Sequence, residues 1–359
     1  SFRQSKRPDQ VCQNEEGWEP FGGRVERIEG KGHGVVATKK ISPGEVVLKE
    51  EPLLYSLKSG EQKKRCSYCF ISHEDAGAGK LLVCSGCRYA RYCCSQHQRE
   101  DWSHHKIICS SIKRSEKMPL PTMDLLIQAF HLIFLKDEGE DSIRLRDSFA
   151  SLCTNEQHWT NEEKTSFSQV AGALKPFFSD EMLEKFRFDD MIKTFFRLGS
   201  NAFTISDEEI RPVGSGIFLL GSMLNHSCCP NSVQVFEGKT LVVKAVERID
   251  VGEEIEISYV ELADPTSRRR AKLFSDYYIQ CECHRCLCIP PIRGYSDVEG
   301  LKKMDALESN IVALDGQSSE IGRLKNEGKF DVALALCLEG IEHWKRLGKG
   351  KSLSCAQLY

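Results

Sequence analysis

Nowhere in the 359 residues is there a run of the roughly 20 apolar residues that a membrane-crossing helix needs. The opening SFRQSKRPDQ is polar and lacks the apolar stretch of a secretory signal, so an intracellular protein is the expectation. The first residue is Ser and not Met, which leaves open a longer natural chain with its own address. Charge of one sign is missing too. The 49 Lys and Arg against 52 Asp and Glu leave a net charge of −3, so no global electrostatic grip on nucleic acid or an anionic membrane is built in. A dinucleotide fingerprint is also absent: Gly30-Lys31-Gly32-His33-Gly34 has the wrong third spacing for G-x-G-x-x-G and runs into the strand-like VVAT instead of a helix, which argues against NAD.

Cysteine is present in excess, with 17 residues. Such a number means either a disulfide framework in an oxidising compartment or thiolates on metal in a reducing one, and spacing decides between them. CSYC (Cys66 to Cys69) and CSGC (Cys84 to Cys87) are C-x₂-C knuckles, each bringing two thiolates onto one tetrahedral ion. Cys93 and His97, then His105 and Cys109, follow at helical spacing, where residues four apart share a face. These eight donors suffice for two closed zinc sites. Neighbouring Cys94 and His104 are alternative donors to His97. So short a segment with few large aliphatics cannot fold on apolar burial alone, and the metal supplies the missing stability.

On either side the pattern changes. Before the module, GKGHGVVATKKISPGEVVLKEEPLLYS reads as a glycine turn and two β-rich runs joined at Pro43-Gly44. After it, apolar periodicity predicts helices over 119–200, and strands return in TLVVKAVERI and EEIEISYV around the turn Asp250-Val251-Gly252. The fold class is therefore α+β, with the cysteine module interrupting a β-rich domain. A composition of 40% hydrophobic and 28% charged residues allows two or three packed regions.

Three further segments carry chemistry. Polar Asn225-His226-Ser227-Cys228-Cys229-Pro230-Asn231 directly follows the apolar GIFLLGSML, and a buried polar run must find hydrogen-bond partners, as a site does. Ser258-Tyr259 ends a β-run. Cys281-x-Cys283-x₂-Cys286 is one thiolate short of a structural zinc site; Cys228 is the natural fourth, with Cys288 and His284 competing.

The ordered set G-x-G, N-H-S-C-x-P-N, a strand ending in Tyr, and C-x-C-x₂-C resembles the SET-domain protein lysine methyltransferases, and the eight-donor module resembles the MYND zinc finger. Together, over roughly residues 20–345, the chain is similar to the SET and MYND domain (SMYD) family. The resemblance implies an N-terminal extension (1–19), a SET N-terminal part (20–65), the MYND finger (66–109), a helical insertion (110–200), the SET core (201–262), a post-SET zinc segment (263–290) and a helical C-terminal region (291–359). In that last region GKFDVALALCLEGIE resembles one tetratricopeptide-like (TPR-like) unit. About three such units are needed to bury their own faces, so the region is expected to be incomplete here, with the peptide cleft open on one side.

The resemblance also implies a pairing of ligands: Cys66, Cys69, Cys93 and His97 on one zinc, Cys84, Cys87, His105 and Cys109 on its neighbour, and a third Zn²⁺ in the post-SET segment. The family usually carries Cys where this chain has His97. The implied cofactor is S-adenosyl-L-methionine, and the implied acceptor is a lysine ε-amine of a histone or another protein. Tyr259 matches the catalytic tyrosine, facing the transferred methyl, and Phe203 and Tyr277 match the lysine channel. Lys31, Gly32, His33 and Gly34 match contacts to the methionine end of the cofactor; Asn155, Asn201, Asn225 and His226 match further contacts. Ile279 stands where the family often has an aromatic residue over the adenine, with Tyr278 beside it. Singly, Tyr259 and Phe203 read equally as core aromatics and Asn201 as a helix cap; the ordered set is what speaks for a site. The rival reading is a catalytically weak scaffold whose finger recruits Pro-rich peptides or DNA. A monomer in cytoplasm and nucleus, without membrane contact, completes the expectation.

Overall fold

The computed structural model describes residues 21–77, 79–115, 121–134, 140–185, 187–262, 264, 266–287 and seven positions between 323 and 335. The chain divides into two units, one of Ser1–His226 with Pro230–Ile257 and one of Ser227–Cys229 with Ser258–Tyr359.

In the first unit β1 (Gly23–Ile28) and β2 (Gly32–Ala37) form an antiparallel hairpin, and Gly30 and Gly32 take the left-handed backbone its turn requires. Strands β3 (Val46–Glu50) and β4 (Leu54–Leu57) follow, the latter wholly buried. The cysteine module then contributes a short ribbon, β5 (Leu82–Val83) with β6 (Arg91–Tyr92), and two helices, α1 (Ser95–Glu100) and α2 (Trp102–Ser115). Five helices occupy the predicted helical stretch: α3 (Pro121–Phe134), α4 (Glu140–Ser151), α5 (Asn161–Leu174), α6 (Asp180–Lys185) and α7 (Phe188–Asn201). A Thr160/Glu163 capping box starts α5, and Asp189 and Asp190 sit where the N-terminal dipole of α7 favours them. The apolar faces meet in one core that includes Ile127, Phe149, Phe167, Leu174, Ile192 and Ile217.

The chain then returns to strands: β7 (Ala202–Ser206), β8 (Pro212–Ile217), β9 (Asn225–His226), β10 (Ser232–Glu237), β11 (Thr240–Ala245) and β12 (Glu256–Ile257). The sheets run β4-β8-β7 and β10-β11-β3, so strands from before and after the cysteine module share sheets, and the module does interrupt a β-rich domain. The run EEIEISYV pairs less than its alternation predicts. Only Glu256–Ile257 form a ladder, parallel to Asn225–His226; before them the run bonds to β2 through Ala37 N to Glu253 O and Ile255 N to Val35 O, while the Asn231 side chain takes the other edge, its Nδ2 donating to Glu254 O and its Oδ1 accepting from Glu256 N.

The module is welded to these sheets. Gly238, left-handed at the β10–β11 turn, lies so close to the Cys69 carbonyl that a Cβ would collide with it. Next to it Lys239 is buried with Nζ 4.6 Å from the Tyr55 ring centroid and 4.5 Å from that of Tyr68, its charge met by Glu51 at 2.5 Å. The Tyr55 and Tyr92 hydroxyls donate to the two oxygens of buried Asp101, at 2.6 and 2.7 Å. Behind them, Tyr89 and Ser56 donate to one oxygen of Asp124, while the other, Oδ1, is buried without a partner on the wall of a cavity of about 50 Å³.

The second unit has α8 (Thr266–Tyr277) and α9 (His284–Leu287), built around Leu273, Cys228 and Cys281. The N-terminal extension and almost all of the TPR-like region lie outside the described residues.

Burial pushes the Asp124 carboxyl from 3.8 up to about 8, against the two hydroxyl donors, and burial likewise pushes Glu50 up to about 7. The folded state therefore keeps on Asp124 a proton that the unfolded chain gives up near pH 4, so this group's contribution to stability falls as pH rises toward 8 and levels off above it. Asp124→Asn removes that component. Chemical denaturation from pH 6 to 9 should show the variant gaining on the wild type by up to about 1.4 kcal/mol per pH unit below pH 8 and by nothing above it. Parallel profiles would show that Asp124 is ionised throughout.

Candidate active site and metal centres

Three sets of four donors come together, each with all ligand atoms within 4.8 Å of one another: Cys66, Cys69, Cys93 and His97; Cys84, Cys87, His105 and Cys109; Cys228, Cys281, Cys283 and Cys286. Zn–S bonds of about 2.3 Å in a tetrahedron put neighbouring sulfurs about 3.8 Å apart, and nitrogen slightly closer. Most separations match this, with Cys84 to Cys109 4.0 Å, Cys87 Sγ to His105 Nε2 3.5 Å, Cys66 Sγ to His97 Nδ1 3.7 Å, Cys228 to Cys281 4.0 Å and Cys228 to Cys286 3.6 Å, while Cys93 Sγ to His97 Nδ1 is shorter at 3.0 Å. All three sets fit zinc.

Local structure makes the donor choice. Cys94 is the N-cap of α1, its sulfur accepting from His97 N at 3.5 Å, so it points along the helix start while His97, one turn on, presents Nδ1 to Cys93 at 3.0 Å. His104 instead lies tilted against the Tyr55 ring and sets Nε2 3.2 Å from the Leu53 carbonyl. His105 and Cys109 lie one turn apart on α2, as their spacing predicts. Cys288 and the His284 side chain lie outside the described residues.

One contributor carries no signal in the sequence. Arg269 is fully buried and donates from Nε to Cys228 Sγ at 3.4 Å, with its other nitrogens on Asp264 O and Thr266 Oγ1. Four thiolates on Zn²⁺ leave two net negative charges in a buried place, and a guanidinium bonded to one sulfur offsets part of that. In the same unit Tyr259, Tyr277 and Ile279 pack on the Cys228–Cys281 core; the Tyr259 and Tyr277 ring centroids are 5.0 Å apart, inclined at 48°.

In the first unit the expected cofactor residues form two groups. Asn225 Nδ2 donates to the His33 carbonyl at 3.0 Å and to Glu254 at 2.8 Å, and a Cβ on Gly34 would press to 2.6 Å from that same nitrogen, so glycine is needed for the approach. Lys31 reaches Glu254 and Glu256, and His226 is buried beside Asn225 on β9. The second group joins Asn155, left-handed at φ 53° and bonded to Ser200, with Asn201, whose amide reaches Cys153 O and Arg197 O. Asn201 thus also caps the end of α7. Phe203 on β7 meets Phe218 edge-on at 5.5 Å. The open space at Gly32, where a Cβ would meet nothing within 4 Å, and the carboxylate and amide groups around Lys31 and Asn225 suit a charged amino-acid moiety.

These features define a SET domain, and a SET-domain family model matches residues 32–260. The chain is 32% identical over 310 residues to the mouse histone-lysine N-methyltransferase SMYD3, covering 86% of this chain and 69% of that one. It is 32% identical over 327 residues to human N-lysine methyltransferase SMYD2, covering 88% and 73%. Among solved structures, the SET domain of LSMT bound to lysine and AdoHcy aligns with a TM-score of 0.45 at 14% identity, over 76% of this chain and 58% of that one. The chain belongs to the SET and MYND domain (SMYD) family of SET-domain proteins.

Metal analysis of the purified protein should find three zinc ions per chain. His97→Ala should lose one of them and Cys94→Ser should keep all three; the reverse result would give the ligand position to Cys94.

Proposed function

We propose that the protein transfers methyl groups from S-adenosyl-L-methionine to lysine ε-amines of proteins, histones included, in the cytoplasm and nucleus. The observation that carries the reading is the pairing of Asn225–His226 with Glu256–Ile257, two residues along the chain from Tyr259, with Asn225 set against the His33 carbonyl. The names of the SMYD2 and SMYD3 relatives support the same activity.

S-Adenosylmethionine, when bound, supplies an electrophilic methyl group. The chain's part is to hold donor and acceptor in line and to present the acceptor as a neutral amine. A lysine with its ordinary pKa near 10.4 is almost wholly protonated at neutral pH, and apolar surroundings disfavour the ammonium. Tyr277 belongs to such surroundings: burial first, and then Asp276, raise its pKa, so its hydroxyl stays protonated and uncharged. Tyr259, against the Tyr277 ring, orients the amine through its own hydroxyl, and orientation of this kind supplies much of the rate. Lys31, His33, Asn225 and His226 bind the donor's polar end, with Asn155 and Asn201 as further contacts. Phe203 lines the path of the lysine side chain. Ile279 covers the adenine by apolar contact in place of ring stacking.

Transfer of labelled methyl from S-adenosylmethionine to a histone mixture tests this. The wild type should label lysine, and Tyr259→Phe, still folded and still loaded with zinc, should be slower by about 10²-fold or more. A zinc-loaded wild type that binds no donor in calorimetry would sink the proposal and favour a scaffold whose finger recruits partners.

A further inference from the structure

The turn that joins β1 and β2 is closed by the Ile28–Gly32 end of the hairpin and by Lys31 N donating to Ile28 O at 3.2 Å, and its two glycines face open space. Gly30 and Gly32 are both left-handed, and a Cβ built at either would touch nothing within 4 Å. Lys31, between them, is nevertheless tied twice across the fold, with Nζ 2.6 Å from Glu254 Oε2 and 2.6 Å from Glu256 Oε1. Both carboxylates are mostly shielded, at 14% and 20% exposure, so these pairs are less screened than ordinary surface pairs. Glu254 makes a second contact through its Oε1, which accepts from Asn225 Nδ2, and that amide also reaches the His33 carbonyl. Two glutamates thus hold both ends of the glycine segment, Lys31 directly and His33 through Asn225.

The charges are as informative as the distances. An ammonium has three N–H donors, and two of them are engaged by the glutamates, which leaves one. One lysine against two glutamates leaves a net negative charge, which favours a ligand carrying an ammonium and a sulfonium over one that offers only a carboxylate.

We propose that Glu254 and Glu256 are positioning residues for the methyl donor: acting through Lys31, they hold the glycine turn in its binding shape and leave one ammonium N–H for the donor's carboxylate. This rests on the reading that the chain binds S-adenosylmethionine.

Glu256→Gln is the cleaner variant, because it removes one ion pair and leaves the Glu254–Asn225–His33 chain in place. Three quantities are read on wild type and variant: the dissociation constant for S-adenosylmethionine by calorimetry, kcat and KM for the donor, and deuterium exchange of the turn amides at residues 29–33. Dissociation constant and KM should each rise about ten-fold, with kcat within two-fold of wild type and faster exchange confined to the turn. Glu256→Asp, which keeps the charge on a shorter arm, should recover part of the affinity, and Lys31→Met, which removes both ion pairs, should loosen the turn more than Glu256→Gln does. Unchanged exchange, or a donor affinity that is unchanged or tighter in Glu256→Gln, overturns the proposal. A wild type that binds no donor overturns the methyltransferase reading instead, while the exchange comparison still decides whether the glutamates hold the turn.

Discussion

Among the described residues, the finger and the second unit are organised around sulfur donors placed to hold metal. Ten of the 17 cysteines, with two histidines, form three tetrahedral donor sets. The buried centre of the finger is Cys66, Cys84, Cys109, Ala90 and Tyr92, and that of the second unit is Cys228, Cys281 and Leu273. Neither would hold as an apolar cluster, because thiolates brought this close repel one another until a cation joins them. The consequence for chemistry is direct in the second unit: Tyr259, Tyr277 and Ile279 take their places from packing on a centre that zinc closes.

The finger in turn is packed into the sheets. Its contacts with the sheets are polar and buried: Lys239 between two tyrosine rings, Asp101 under two tyrosine hydroxyls, Arg65 on Asp207 at 2.7 Å, and Asp124 with one oxygen left open. Such groups contribute little net stability compared with apolar packing, but each admits only one partner geometry. These polar contacts specify how finger and sheets meet, and Tyr89 and Ile108 of the finger join the apolar core of Leu54 and Ile217. Asp124 marks the cost of the polar contacts, since a buried carboxyl with an unpartnered oxygen is tolerated by holding its proton.

The ligands were legible in the sequence because metal geometry is local there: a knuckle needs two intervening residues, and a helical pair needs three. Which knuckle shares an ion with which helical pair is a long-range fact, and only resemblance to the MYND finger pointed to it. Cys94 against His97 could not be settled by spacing, since both are within reach of the ion, and the N-cap role of Cys94 emerges only once α1 exists. Arg269 is one of three consecutive arginines on α8; a helix turns about 100° per residue, so one of them faces inward, but nothing in the run says which. Lys31 was expected to contact the cofactor, and the structure pairs it with two glutamates from more than two hundred residues away, a contact no local pattern encodes. The strand expected through EEIEISYV is split for a related reason, because its first half bonds to distant β2 and an asparagine side chain takes part of its other edge.

The central claim is that the segments Lys31–Gly34 and Asn225–His226 form the binding surface for a sulfonium methyl donor. Photocrosslinking of labelled S-adenosylmethionine to the zinc-loaded protein, followed by peptide mapping, tests it most directly. The account predicts saturable label in peptides containing one or both segments, displaced by excess unlabelled donor. Label that is saturable elsewhere and absent from both segments, or label that no excess of donor displaces, would contradict it.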